Sequence, residues 1–173
     1  MSIQEFNGKT PKIDPTVFIA PTATIIGDVE IDIESSIWPN AVIRGDSHPI
    51  RIGKRVNIQD NVVIHTTSKT SVIIGDNVSI GHSAILHGCR IGSNAIIGMG
   101  SIILDGATIA DWVLIGAGAV VTQDSVIPSR NLALGVPCKV VRQLDEHDLN
   151  SIAANAEEYA ALSRQYLNQP EKH

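Results

Sequence analysis

Six histidines carry the first chemistry in this sequence: His48, His65, His82, His87, His147 and His173. A histidine taken singly is more often a surface or satisfied core residue than a ligand, so spacing has to decide. Ile64 directly precedes His65, and Leu86 directly precedes His87, 22 residues on. Arg44 likewise follows Ile43, 21 residues before His65. His82 stands two places after Ile80, and Asp60, with Gln59 beside it, lies 22 residues before His82. Imidazoles with an arginine, an amide and carboxylates suit a divalent metal ion and the groups that orient what it activates.

These offsets mean something only if the chain repeats, and it does. An aliphatic residue recurs every six positions at Ile19, Ile25, Ile31, Ile37 and Ile43. After the insertion Ser47-His48-Pro49 the series resumes at Ile52, Ile58 and Ile64, and after Ser68-Lys69-Thr70-Ser71 at Ile74, Ile80 and Leu86. One short unit gives Ile91, followed by Ile97, Ile103, Ile109, Ile115, Val121, Ile127 and Ala133. Six residues with one inward aliphatic side chain make a short strand and a tight corner. Three such units close a triangular coil of 18 residues, and coils stack at about 4.8 Å. Gly, Asn and Asp near the corners supply the backbone angles that turns need. A β-sandwich predicts strands of variable spacing, not one phase held over so many units.

The repeat turns the offsets into geometry. One coil plus the four-residue insertion separates His65 from His87, and one coil plus the three-residue insertion separates Arg44 from His65. Arg44, His65 and His87 therefore form one outward column. His82 falls near a corner, on another face of the triangle, and joins the pair only if a second subunit brings it there. Closed cyclic association would make identical sites of this kind, and a triangular prism suits threefold symmetry. Three neutral imidazoles with one open position are a catalytic zinc arrangement. Asp60 shares the column position of His82; on spacing alone it is as readily an ordinary Asp-Asn turn as a partner of the site.

Residues 17–136 are thus expected to form the β-helix, with 1–16 an irregular lead-in containing Pro11 and Pro15. Over 137–173 the pattern changes. Leu149, Ile152, Ala153, Ala156, Tyr159, Ala160, Ser163, Tyr166 and Leu167 follow helical spacing, which predicts one amphipathic helix over about 145–168. Asp145 or Asp148 caps its start and Pro170 follows its end. Apolar residues make up 43% of the chain but aromatics only 3%, so the core is aliphatic. A net charge of −5 without a basic run argues against nucleic acid or an anionic membrane as partner. No apolar stretch is long enough to span a bilayer, and the start lacks the pattern of a secretory signal. Cys89 and Cys138 form no paired motif, so a cytoplasmic setting is expected.

Arg44-Gly45-Asp46, Asn57-Ile58-Gln59-Asp60, His65, and His82 with His87 five residues on together resemble the γ-class carbonic anhydrases, over nearly the whole chain. The repeat itself resembles the hexapeptide-repeat proteins, all-β left-handed parallel β-helices; the left hand is implied by that resemblance. The resemblance further implies a homotrimer with zinc at each subunit interface, iron or cobalt also suiting the imidazoles. His65 and His87 would come from one chain and His82 from its neighbour. Arg44 and Asp46 would pair across the interface, Gln59 would orient the metal-bound solvent, and Asn57 would lie nearby. The implied reaction is reversible hydration of carbon dioxide to bicarbonate by metal-bound hydroxide.

The sequence departs from the best-known γ-class enzyme in one stretch. Where that enzyme has an acidic, proton-shuttling loop, this chain has Thr66-Thr67-Ser68-Lys69-Thr70-Ser71, and Ser47 stands where it has an acid. His48, and Tyr159 if its helix packs by a neighbour's metal, are candidate proton relays, the alternatives being a solvated loop residue and a core anchor. Two other readings compete. A hexapeptide acyltransferase or thioesterase acting on acyl-CoA is suggested by Gly116-Ala117-Gly118 and Gly135-Val136-Pro137-Cys138-Lys139, though corners of any β-helix need small residues. A non-catalytic metal-binding trimeric scaffold is the third.

Overall fold

The protein, described here over residues 2–169 from a computed structural model, is a triangular solenoid followed by one helix. Each hexad forms a strand of two or three residues and a corner, and equivalent strands of successive coils pair in parallel. Three faces result, each seven parallel strands deep, and the first gains an eighth, antiparallel strand at its end. The first contains Asn57–Ile58, Val78–Ile80, Ala95–Ile97, Val113–Ile115 and Asn131–Leu134; the second contains Val63–His65, Ile85–His87, Ile102–Ile103 and Val120–Val121; the third contains Val72–Ile74 and Arg90–Ile91. Thr24–Ile31 and Val42–Ile52 are long enough to round a corner and serve the second face and then the third.

Register explains why the repeat is so strict. Ile25, Ile43, Ile64, Leu86, Ile103 and Val121 are successive partners on the second face, all buried, and they stack into one column of the core. Each contributes roughly 1.5–3 kcal/mol of burial. A shift by one residue would turn the whole column outward. One corner column, Asn40, Asn61, Ser83, Gly100 and Gly118, has φ between 59 and 67°, the left-handed region that Asn and Gly enter most easily.

The two ends differ from expectation. Residues 1–16 are not an irregular lead-in: Ser2–Gln4 and Lys12–Ile13 pair in parallel with Thr24–Ile31. The backbone groups at the open end of a solenoid need partners, and these strands supply them. Ile13 stands six residues before Ile19, so the repeat had already begun. Within 137–173, Lys139–Gln143 first turns back antiparallel on Asn131–Leu134 and covers the other end.

Helix α1 then runs over Glu146–Leu167. Asp145 is the N-cap: its carboxylate accepts the Asp148 N–H at 2.9 Å, and the Asp148 carboxylate accepts the Asp145 N–H at 2.9 Å. Asn168 caps the other end, whereas Pro170 and His173 lie outside the described residues. The helix buries Ile152, Ala156, Ala160 and Ser163 against the early strands of the first face. Tyr159 and Tyr166 stack with Trp38 and Phe18 at centroid distances of 5.2 to 5.8 Å. The later strands of that face stay uncovered. Among the described residues, no helix is long and apolar enough to cross a membrane.

Candidate metal centre

Strand pairing places Arg44 opposite His65 and His65 opposite His87 on the outside of the second face. Alternation does this: each follows an inward aliphatic residue, so each points out. His65 Nδ1 lies 3.1 Å from His87 Nε2. Two nitrogens on one tetrahedral zinc, bonded at about 2.0–2.1 Å, stand about 3.3 Å apart. The pair is therefore already spaced for a single ion.

The other nitrogen of each ring meets a carboxylate. His65 Nε2 lies 2.9 Å from Asp46 Oδ1, and His87 Nδ1 contacts Asp105 Oδ1. His82 repeats the pattern, with Nδ1 2.9 Å from Asp60 Oδ2. Each of the three histidines thus has one ring nitrogen on an acid, and the second nitrogens of His65 and His87 face each other. A carboxylate behind a ligating imidazole fixes its tautomer and raises its basicity. The donor set fits zinc, and the carboxylates favour it further.

Asp105 was missed by sequence reasoning. Its signal was the short unit between Leu86 and Ile91, which displaces the following corner by one residue. Asp60 is a partner of His82 rather than turn chemistry alone, although Asn61 does sit at φ 59°.

Arg44 and Asp46 form an ion pair within the chain. They flank Gly45 on one strand, so both side chains emerge on the same face. The expected pairing across an interface is therefore not required to satisfy them. Asp46 also meets His65. Burial would raise its pKa, but hydrogen bonds from His65 and Arg44 outweigh this and hold the carboxyl below its usual range.

Within one chain His82 does not join this pair. It sits on the corner column, just before Ser83, beside a cleft of about 340 Å³. Gln59, Asn155, Tyr159, Met99, Ile96 and Leu114 line that cleft with it. Asn57 and Gln59 lie on the same face and are buried, 1% and 6% exposed. Among the described residues, the one cluster of three metal-type donors within a chain is Asp145, His147 and Asp148, whose two acids are spent on capping the helix and on Arg142.

The candidate relays differ. His48 hangs from Thr66 through its backbone N–H and turns Nδ1 to the Ser47 carbonyl at 2.8 Å. Tyr159 is pressed against Trp38; burial, and then the charges of Asp60 and Glu158, push its phenol up. A phenol that holds its proton more tightly acts as a donor rather than a relay at neutral pH. Cys89, two residues from His87, is no ligand. Its thiol faces the core, and burial pushes it up to about 12.

Comparison with known proteins agrees with this architecture. The family profile described as bacterial transferase hexapeptide (six repeats) matches residues 71–103 and 88–123. A Geobacillus kaustophilus protein named carbonic anhydrase is 49% identical over 164 residues, covering 95% of this chain and 90% of its own. An Arabidopsis thaliana protein named gamma carbonic anhydrase 2, mitochondrial, is 39% identical over 95% of this chain, which spans only 61% of that relative's length. A crystal structure of a Bacillus cereus protein described as a putative acetyltransferase superposes with a TM-score of 0.94 at 45% identity, covering 95% of this chain and 96% of that one.

Proposed function

Because the chain belongs to the γ carbonic anhydrase-like family of hexapeptide-repeat, left-handed β-helices, we propose that it assembles as a homotrimer that binds zinc between subunits and hydrates carbon dioxide to bicarbonate. One observation carries the reading: three histidines, each with a carboxylate on one ring nitrogen, two of them with their second nitrogens facing each other 3.1 Å apart.

His65 and His87 of one subunit and His82 of the next would hold the ion. A zinc ion on three neutral imidazoles supplies Lewis-acid chemistry and ionises water near neutral pH. This chain's residues do the rest. Asp46, Asp60 and Asp105 hold the imidazole rings, and Arg44 keeps Asp46 charged. Gln59 presents an amide beside His82 that orients oxygen atoms of solvent or substrate, and Asn57 holds Gln59. Proton export falls to His48 and to buffer, since residues 66–71 contain no acid.

The outer surface supports the trimer. Val42, Val63, Ile85, Ile102 and Val120 are successive partners facing outward beside the histidine column. Ile96, Leu114 and Met99 form a second apolar patch beside His82. Two different patches, each carrying part of one ligand set, suit a head-to-tail contact, and threefold rotation about the prism would close it into a ring.

Light scattering should give three times the 18.5 kDa chain mass, and elemental analysis should give one zinc per chain. Carbon dioxide hydration should rise with buffer concentration, because small buffers replace a poor internal shuttle. A metal-loaded monomer would refute the shared site. Fully loaded trimers without turnover in any buffer would move the assignment to acyl transfer or to a scaffold.

A further inference from the structure

The amide of Gln59 is symmetric in shape, so something must decide which end faces which neighbour. The decision starts at a group that cannot reverse. The backbone N–H of His82 only donates, and it donates to Gln59 Oε1 at 3.1 Å. Gln59 Nε2 must then point the other way, and it donates to Asn57 Oδ1 at 3.0 Å. This fixes Asn57 in turn, whose Nδ2 donates to Ser79 Oγ at 2.6 Å. With that side of its oxygen occupied, the Ser79 hydroxyl donates onward to Asn155 Oδ1 on helix α1 at 2.5 Å.

The three bonds from His82 to Ser79 therefore have one direction, and in the fourth the Ser79 hydroxyl donates to Asn155. Asn57, Gln59 and Ser79 are 1%, 6% and 2% exposed, so water does not substitute for a lost partner. Asn57 and Ser79 are register partners on adjacent strands, which brings them together without any local distortion. Asn155 is 76 residues from Ser79 in sequence and arrives only because the helix folds back on this face.

We propose that Ser79 and Asn155 are positioning residues that clamp Asn57 against Gln59 Nε2 and so restrain the amide whose orientation the His82 N–H sets, coupling the seating of helix α1 to the site beside His82. The consequence is chemical. With Oε1 accepting from the His82 N–H and one Nε2–H given to Asn57, Gln59 keeps a second Nε2–H that can donate to a solvent or substrate oxygen. This rests on the reading of Gln59 given above, and the experiment separates the two.

The test is the side-chain amide signal of Gln59 in isotope-labelled, zinc-loaded protein, assigned by its loss in Gln59→Glu. The wild-type pair of protons should be well dispersed, with slow exchange. Ser79→Ala and Asn155→Leu should collapse it towards a free amide, with helix content and subunit mass unchanged. Asn155→Asp keeps an oxygen at the accepting position and should restore the dispersed signal. Where hydration is measured, the two disruptive variants should lose roughly three- to tenfold in kcat/KM, what one ordinary hydrogen bond is worth. An amide signal unmoved in both disruptive variants overturns the proposal. A collapsed signal with no hydration activity even in the wild type leaves the positioning chain standing and rejects the carbon dioxide reading instead.

Discussion

Asp105 owes its position to a residue that is absent. From Leu86 to Ile91 the repeat is one residue short, so Leu86 pairs with Ile103 at an offset of 17 while Ile91 pairs with Ile109 at 18. The next corner carries the surplus residue, and its carboxylate reaches back to His87 Nδ1. If this contact holds the ring for a metal, Asp105→Asn, which keeps the shape and removes the charge, should weaken zinc binding by about 10- to 100-fold. Competition against a chromophoric chelator measures this directly. Unaltered affinity would mean that the carboxylate is a neighbour and not a support.

Helix α1 is an element whose start depends on one acid. Asp148 accepts from Arg142 and from the Asp145 N–H, and these bonds, that from Arg142 first, hold its carboxyl well below the usual range. A folded-state pKa below the unfolded one stabilises the fold above the unfolded value, about 3.9, and the contribution fades as pH falls through the folded value. Amide exchange of Asp148 and Leu149, corrected for intrinsic rates, should therefore stay slow down to about pH 4 and quicken below it. Asp148→Asn should flatten that dependence. Protection that strengthens on acidification would contradict the sign. Salt should weaken the effect, since Arg142 is exposed.

For the whole molecule the question is which surface meets which. Val63 and Ile85 are each 39% exposed, directly before the residues that lead to His65 and His87. An interface there buries both, and a charge placed in it is costly to desolvate. If the proposed shared site exists, Ile85→Glu should give a folded monomer with unchanged far-ultraviolet dichroism that no longer retains zinc, because a neighbour's His82 would be lost. Val126→Glu, on the third face and 69% exposed, should leave the mass and metal content alone. A trimer that survives Ile85→Glu would move the interface elsewhere.

Much of this was legible in the chain itself. A six-residue period is a property of sequence, and once coils must stack at strand spacing, inward, outward and corner positions follow. Hence Arg44, His65 and His87 could be aligned, and His82 set apart, by counting insertions alone. Lys12–Ile13 was on the repeat, one coil before Ile31, and could have been read from it, whereas Ser2–Gln4 and Lys139–Gln143 escaped because their pairing depends on what the last open edge can reach. The chain from His82 through Gln59, Asn57 and Ser79 to Asn155 escaped for a related reason. Residues 79 and 155 share no period, and their contact exists only because aromatic packing around Trp38 lays helix α1 back along the solenoid. Local spacing determined which residues face out, and tertiary packing decided which of them touch, because a hydrogen bond needs both partners within about 3 Å and periodicity places only those on the same repeat.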